Sequence, residues 1–237
     1  MFIKPQLFKA QVKDKIQLSP KTIELVLALV QPWEIAFIPG QFVNLKVNDS
    51  KYRSYSIASN PHEHRTIKLA IDIAHEGLGS NYARSLKLSD EVTFIGPSGR
   101  FLLVEPFNKN LVFIATGTGI APFISMFHAL EHQKPNANVF LYFGIRNADE
   151  ALYLDYLNEC VNNIPNFDYQ ICISKNGRLP KSVSGRVTQH VQIPDTKKTD
   201  VYLCGNPKMI TEITESLIKQ GLSAENLFFE RFTFSAN

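Results

Sequence analysis

Cysteine is scarce in this chain: Cys160, Cys172 and Cys204 are the only three in 237 residues, and no two form a C-x-x-C pair. That spacing excludes a disulfide framework and an iron–sulfur cluster held by four thiolates of the chain itself. Cys172 lies between Ile171 and Ile173 in an apolar run, the setting of a buried structural thiol. Long hydrophobic runs are also missing. The strongest, residues 22–30 and 111–115, fall well short of the roughly 20 residues that span a bilayer. The start, Met1-Phe2-Ile3-Lys4-Pro5, lacks the basic-then-apolar pattern of a secretory leader, so a soluble, cytoplasmic protein is expected. No Arg/Lys stripe interleaved with aromatics argues for nucleic acid. No repeat or low-complexity segment breaks the chain.

What is present is ordinary globular composition, 44% hydrophobic and 20% charged, in a length sufficient for two modest domains. The net charge of +3 is unevenly placed. Residues 1–106 hold 13 basic against 10 acidic side chains, and residues 107–237 hold 12 of each. The surplus in the first part suits an anionic cofactor or an acidic partner.

Periodicity changes along the chain. Residues 23–27, 42–47, 54–58, 67–73 and 92–95 read as short strands separated by Pro, Gly, Asn and Asp, which predicts an antiparallel barrel. One short helix, residues 81–86, interrupts it. From about residue 110, strands at 111–115, 139–143, 169–173 and 201–204 alternate with helices at 120–132, 150–161, 184–191 and 207–219. Alternation of this kind predicts an α/β parallel sheet. The expected domains are residues 1–106 and 107–237.

Three constellations carry chemistry. Thr116-Gly117-Thr118-Gly119 follows a strand and opens a helix with Pro122 in its first turn, where a missing N–H costs nothing. Glycines there let a pyrophosphate approach the backbone, although Pro122 stands where G-x-G-x-x-G has its third glycine. Arg53-Ser54-Tyr55-Ser56 on a strand can hold a phosphorylated ring cofactor: Arg binds phosphate, Tyr stacks, and Ser bonds a ring nitrogen. Gly77-Leu78-Gly79-Ser80 before a helix is a second anion site, or a glycine turn with Ser80 as N-cap.

Taken with Pro39-Gly40-Gln41-Phe42, Gly96-Pro97-Ser98-Gly99 and Cys204-Gly205-Asn206-Pro207-Lys208-Met209, in that order, these runs resemble the ferredoxin–NADP reductase family over nearly the whole chain. The resemblance implies an FAD-binding barrel, then a pyridine-nucleotide domain, with the flavin in the cleft between them. It implies that Arg53 contacts flavin phosphate, Tyr55 and Ile71 line the flavin site, and Ser56 bonds near flavin N5. Gly77, Gly79 and Ser80 take the pyrophosphate. Thr116, Gly117, Thr118, Gly119, Gly205 and Met209 lie on the nicotinamide nucleotide, Cys204 faces the reacting ring, and Glu230 relays protons. At the C-terminus Glu230-Arg231-Phe232 has the spacing of the family's glutamate and flavin-covering aromatic, with Phe for Tyr and residues 233–237 following.

Nucleotide choice rests on cations. Arg146 after the second strand, Ser174-Lys175 resembling the S-R pair of bacterial relatives, and Arg186 favour NADP, with NAD possible. An Arg146–Asp149 salt bridge is the competing expectation. The activity implied is hydride transfer between NADPH and FAD, with single electrons passing to ferredoxin or flavodoxin, by a monomer without metal. The rivals are an NADH-dependent reductase component of an oxygenase, a free-flavin reductase and a non-catalytic flavin-binding sensor.

Overall fold

A computed structural model describes residues 4–193 and 195–232. The chain divides into two compact units, one holding the chain through Leu103 with Ala121–Ala129, the other holding Val104–Ile120 and the chain from Leu130.

The first unit is a six-stranded antiparallel sheet. Its strands are β1 (Gln6–Ser19), β2 (Thr22–Gln31), β3 (Phe42–Lys46), β4 (Tyr52–Ser56), β5 (Thr66–Asp72) and β6 (Glu91–Ser98), and helix α1 (Leu78–Ser85) lies between β5 and β6. The order is β4-β3-β6-β1-β2-β5. Its edges close where Ile57 bridges Leu69, the Ala58 N–H donates to the Lys68 carbonyl at 2.8 Å and the Lys68 N–H donates to Ser59 Oγ at 2.6 Å. Alternation sends Phe8, Ala10, Val12, Ile23, Leu25, Leu27, Val43, Leu45, Ile67, Leu69 and Phe94 into one core. The Arg53–Ser56 run therefore leads straight into the barrel seam. This fixes its register.

The second sheet is parallel. It comprises β7 (Asn110–Thr116), β8 (Val139–Asn147), β9 (Phe167–Asn176), β10 (Ser182–Ser184), β11 (Thr199–Gly205) and β12 (Leu227–Arg231) in the order β10-β9-β8-β7-β11-β12. The connecting helices are α2 (Ala121–Gln133), α3 (Leu154–Asn163) and α4 (Pro207–Lys219). Central strands are buried on both faces, β11 at every position, as the continuous apolar runs require. One face packs Ile114, Cys172, Leu203, Met209 and Ile213, while Phe113, Tyr202 and Phe228 stack in line on the other at 5.2 and 4.8 Å. Among the described residues no helix is long and apolar enough to cross a membrane.

Four expectations differ from the structure. Strand β1 was not foreseen, because Lys9, Lys13, Asp14 and Lys15 dilute its alternation and register shifts at Lys9/Ala10 and Val12/Asp14 break the period. The helix expected over 184–191 is the end of β10 followed by a single 3₁₀ turn, Val187–Gln189, too short for helical periodicity. The helix expected from 150 begins at Leu154, after a 3₁₀ turn at Ala148–Glu150. Helix α1 starts at Leu78 rather than 81. Gly79 and Ser80 therefore form its first turn, Gly77 is the N-cap, and the Ser80 N-cap expectation is wrong: its hydroxyl donates instead to the Asp72 carbonyl at 2.7 Å.

Candidate functional site

In the first unit, β4 and the start of α1 meet. A Cβ placed on Gly79 would stand 2.2 Å from the Tyr55 hydroxyl and 3.3 Å from Arg53 Cγ, so the helix backbone lies directly on those two side chains. The first backbone bond of α1 runs from the Asn81 N–H to the Gly77 carbonyl at 2.8 Å. The N–H groups of Leu78, Gly79 and Ser80 precede it and are left for an anion. Gly77 faces open space. The Arg84 guanidinium ties the helix back to the Ile73 carbonyl and the Asn81 side chain, and Lys15 Nζ donates to the Arg84 carbonyl at 2.7 Å.

Arg53 donates to the Tyr52 carbonyl at 2.9 Å and, among the described residues, pairs with no carboxylate. A cation beside helix-start donors and a glycine is the donor set that a pyrophosphate needs. Burial pushes the Tyr55 phenol up to about 12, with Arg53 opposing, so it is neutral at physiological pH. Ser56 is buried at the end of β4. Ile71, expected at the cofactor, is 1% exposed and packs into the barrel core, so its side chain serves the fold.

In the second unit, the loop after β7 meets the end of β11. A Cβ on Gly119 would stand 2.4 Å from the Cys204 carbonyl oxygen and 2.7 Å from Gly205 Cα. Thr116 Oγ1 accepts the Asn206 N–H at 2.9 Å. Gly117 faces open space, so the loop offers a bare backbone surface. A dinucleotide phosphate fits there, at the C-terminal ends of parallel strands. Asn206 caps α4 by accepting the Lys208 N–H at 2.9 Å. Asn before Pro at the first helical position is an N-cap signal legible in the sequence alone.

Cys204 lies beside Glu230 in the β11–β12 register. Burial, then the Glu230 carboxylate, raises its thiol well above the ordinary range. Burial also raises Cys160 and Cys172, each to about 12. A raised thiol stays protonated below its own pKa, so none of the three supplies thiolate at neutral pH. Ellman's reagent at pH 8 is expected to label fewer than about 0.3 thiols per native chain and about three after unfolding. Rapid labelling of a native thiol would contradict this assignment. Met209 is 5% exposed and packs in the second core. The Phe232 N–H donates to the Gly205 carbonyl at 3.2 Å, placing that residue beside the β11 end, while residues 233–237 lie outside the described residues.

Arg146, Lys175 and Arg186 are exposed near the C-terminal ends of β8, β9 and β10. Arg146 and Asp149 form no ion pair among the described residues. The Ser174 hydroxyl donates to the Ile145 carbonyl at 3.2 Å, so its proton is already committed.

Comparison with known proteins agrees with both halves. The oxidoreductase FAD-binding domain pattern matches residues 9–102, and the oxidoreductase NAD-binding domain pattern matches residues 113–215. The toluate 1,2-dioxygenase electron transfer component of Pseudomonas putida is 32% identical over 234 residues, covering 97% of this chain and 68% of that protein. A cytochrome P450 reductase from Amycolatopsis superposes with a TM-score of 0.89 at 25% identity, over 96% of this chain and 70% of that one. The ferredoxin-NADP+ reductase of Neisseria gonorrhoeae, solved with FAD and NADP, superposes with a TM-score of 0.80 at 21% identity, over 97% and 99%, which shows the shared fold. The chain thus spans about two thirds of the length of the toluate protein.

Proposed function

We propose that this chain, which belongs to the ferredoxin–NADP reductase family of flavoproteins, takes hydride from NADPH and passes single electrons to a separate redox protein such as a ferredoxin or flavodoxin. Membership makes it an FAD- and NAD(P)-binding oxidoreductase. FAD, when bound, accepts an electron pair and gives up electrons singly, which is why this family couples a nicotinamide to a one-electron carrier.

Each residue's part follows from its chemistry. Arg53 and the N–H groups of Leu78, Gly79 and Ser80 neutralise the FAD pyrophosphate, and the uncharged Tyr55 packs on the ring system. Ser56 supplies a hydroxyl near flavin N5. Thr116, Gly117, Thr118, Gly119 and Gly205 present backbone to the dinucleotide. Cys204 excludes water at the nicotinamide, and Glu230 relays protons beside it. The observation that carries the flavin reading is the contact of Gly79 with Tyr55 and Arg53. Stopped-flow reduction by NADPH tests the roles at the reacting atoms. Ser56→Ala and Cys204→Ala are expected to slow reduction about tenfold or more while leaving nucleotide Kd within about twofold. Unchanged rates in both variants would remove those roles.

NADPH rather than NADH is favoured by three cations, Arg146, Lys175 and Arg186, that no carboxylate neutralises among the described residues. A charge-assisted contact contributes roughly 1.5–3 kcal/mol. The double change Arg146→Ala with Lys175→Ala is expected to cut kcat/KM for NADPH at least about tenfold and leave NADH nearly untouched. Equal losses with both nucleotides would make the two residues structural. A second reading, the reductase component of an oxygenase, draws on the likeness to the toluate dioxygenase component. A wild-type preference for NADH would favour it.

A further inference from the structure

The short connection after β10 is built more tightly than a linker requires. The Gly185 N–H donates to the Ile173 carbonyl at 2.9 Å, anchoring the connection to β9 one residue before Ser174. Gly185 has φ +123°, and a Cβ there would stand 2.6 Å from Gln189 Oε1 and 2.8 Å from His190 Nε2. Two side chains thus close over one glycine. Each makes a backbone bond: Gln189 Oε1 accepts the Arg186 N–H at 2.9 Å, and His190 Nε2 lies 2.9 Å from the Ser184 carbonyl. A carbonyl only accepts, so the imidazole donates from Nε2. Val187 is buried and flanks Gly144, whose other neighbour is Thr116 of the glycine loop. The connection is therefore braced at both ends against the strand termini of the nucleotide site.

Arg186 is the residue so held, exposed and paired with no carboxylate among the described residues. Among the described residues no side chain grips the backbone of Lys175 or Arg146 in this way, and Ser174 has spent its proton on Ile145. A cation whose backbone is fixed before binding loses less freedom when an anion arrives. Its planar fork also matches two phosphate oxygens at once.

We propose that Gln189 and His190 are positioning residues that hold Arg186 as the anchor for a phosphate on the adenosine half of the dinucleotide. This rests on reading the second unit as the nucleotide site. The shared chemistry is a phosphate ester on adenosine, either the 2′-phosphate or the 5′-diphosphate.

The test is titration of the FAD-loaded full chain with 2′-phospho-AMP, ADP and adenosine, followed by calorimetry or NMR. Arg186→Ala, Gln189→Ala and His190→Ala are each expected to weaken a phosphorylated probe about five- to tenfold, the size of one charge-assisted contact. Adenosine affinity stays unchanged, and His190→Gln, which keeps a donor at similar reach, restores the phosphate affinity. Loss with 2′-phospho-AMP alone assigns the 2′-phosphate, and loss with ADP as well assigns the diphosphate. Equal loss with adenosine, or no loss with any probe, overturns the positioning role. A wild type that binds neither phosphate better than adenosine overturns the nucleotide-site reading itself.

Discussion

Arg53→Ala and Gly79→Val are expected to leave the purified protein with less than about 0.1 FAD per chain after gel filtration, against about one in the wild type. The two changes act through different physics. Arg53 has no carboxylate partner among the described residues, so removing it spares the barrel an orphaned charge and costs the ligand its cation. At roughly 1.5–3 kcal/mol that loss weakens FAD binding about ten- to a hundredfold. Gly79→Val fails by bulk: its Cβ would stand 2.2 Å from the Tyr55 hydroxyl, so Tyr55 must leave its place against the start of α1. Circular dichroism should show folded barrels in both. A yellow Gly79→Val protein with a full FAD complement would contradict the site as built here.

Gly119→Ala is expected to be the more damaging change in the second unit. Its Cβ would meet the Cys204 carbonyl oxygen at 2.4 Å, the Cys204 carbonyl carbon at 2.6 Å and Gly205 Cα at 2.7 Å. All three are backbone atoms of a strand held between β7 and β12, so no rotamer relieves the contact. Separating the loop from β11 costs roughly 1–3 kcal/mol of stability. It also disturbs the Thr116–Asn206 bond that joins the end of β7 to the end of β11. The Tm is expected to fall by several degrees, and kcat/KM for NADPH by about a hundredfold, with FAD content unchanged. Retained NADPH efficiency would show that the glycine loop does not touch the dinucleotide.

The close backbone approaches at the glycines of both candidate sites were legible in the sequence, because glycine marks such approach irrespective of tertiary context. Gly79, Gly117, Gly119 and Gly205 all stand where a loop or helix start meets a strand or opens to solvent. The two-sheet fold was legible for a similar reason: β11 is apolar throughout and buried at every position, whereas β3 alternates between half-buried and buried residues. Side chains carried over from the family resemblance depend on tertiary packing instead. Ile71 and Met209 sit at plausible positions in the chain, yet strand and helix phase turn both into cores. Gln189 and His190 were illegible, since their bonds to Arg186 and Ser184 depend on a single 3₁₀ turn that leaves no periodic trace. Strand β1 was hidden by its own charged outer face.

Anaerobic mixing of the purified protein with NADPH, followed by addition of an oxidised one-electron carrier protein, tests the central claim most directly. The expected result is a yellow protein with FAD absorbance that bleaches within about a second at saturating NADPH, on the scale of ordinary enzyme turnover. The carrier should then restore the colour as it becomes reduced, at two carrier molecules per NADPH consumed, because hydride brings two electrons and the carrier takes one. A colourless protein that cannot be reconstituted with FAD, or a yellow one that neither NADPH nor NADH bleaches, would contradict it.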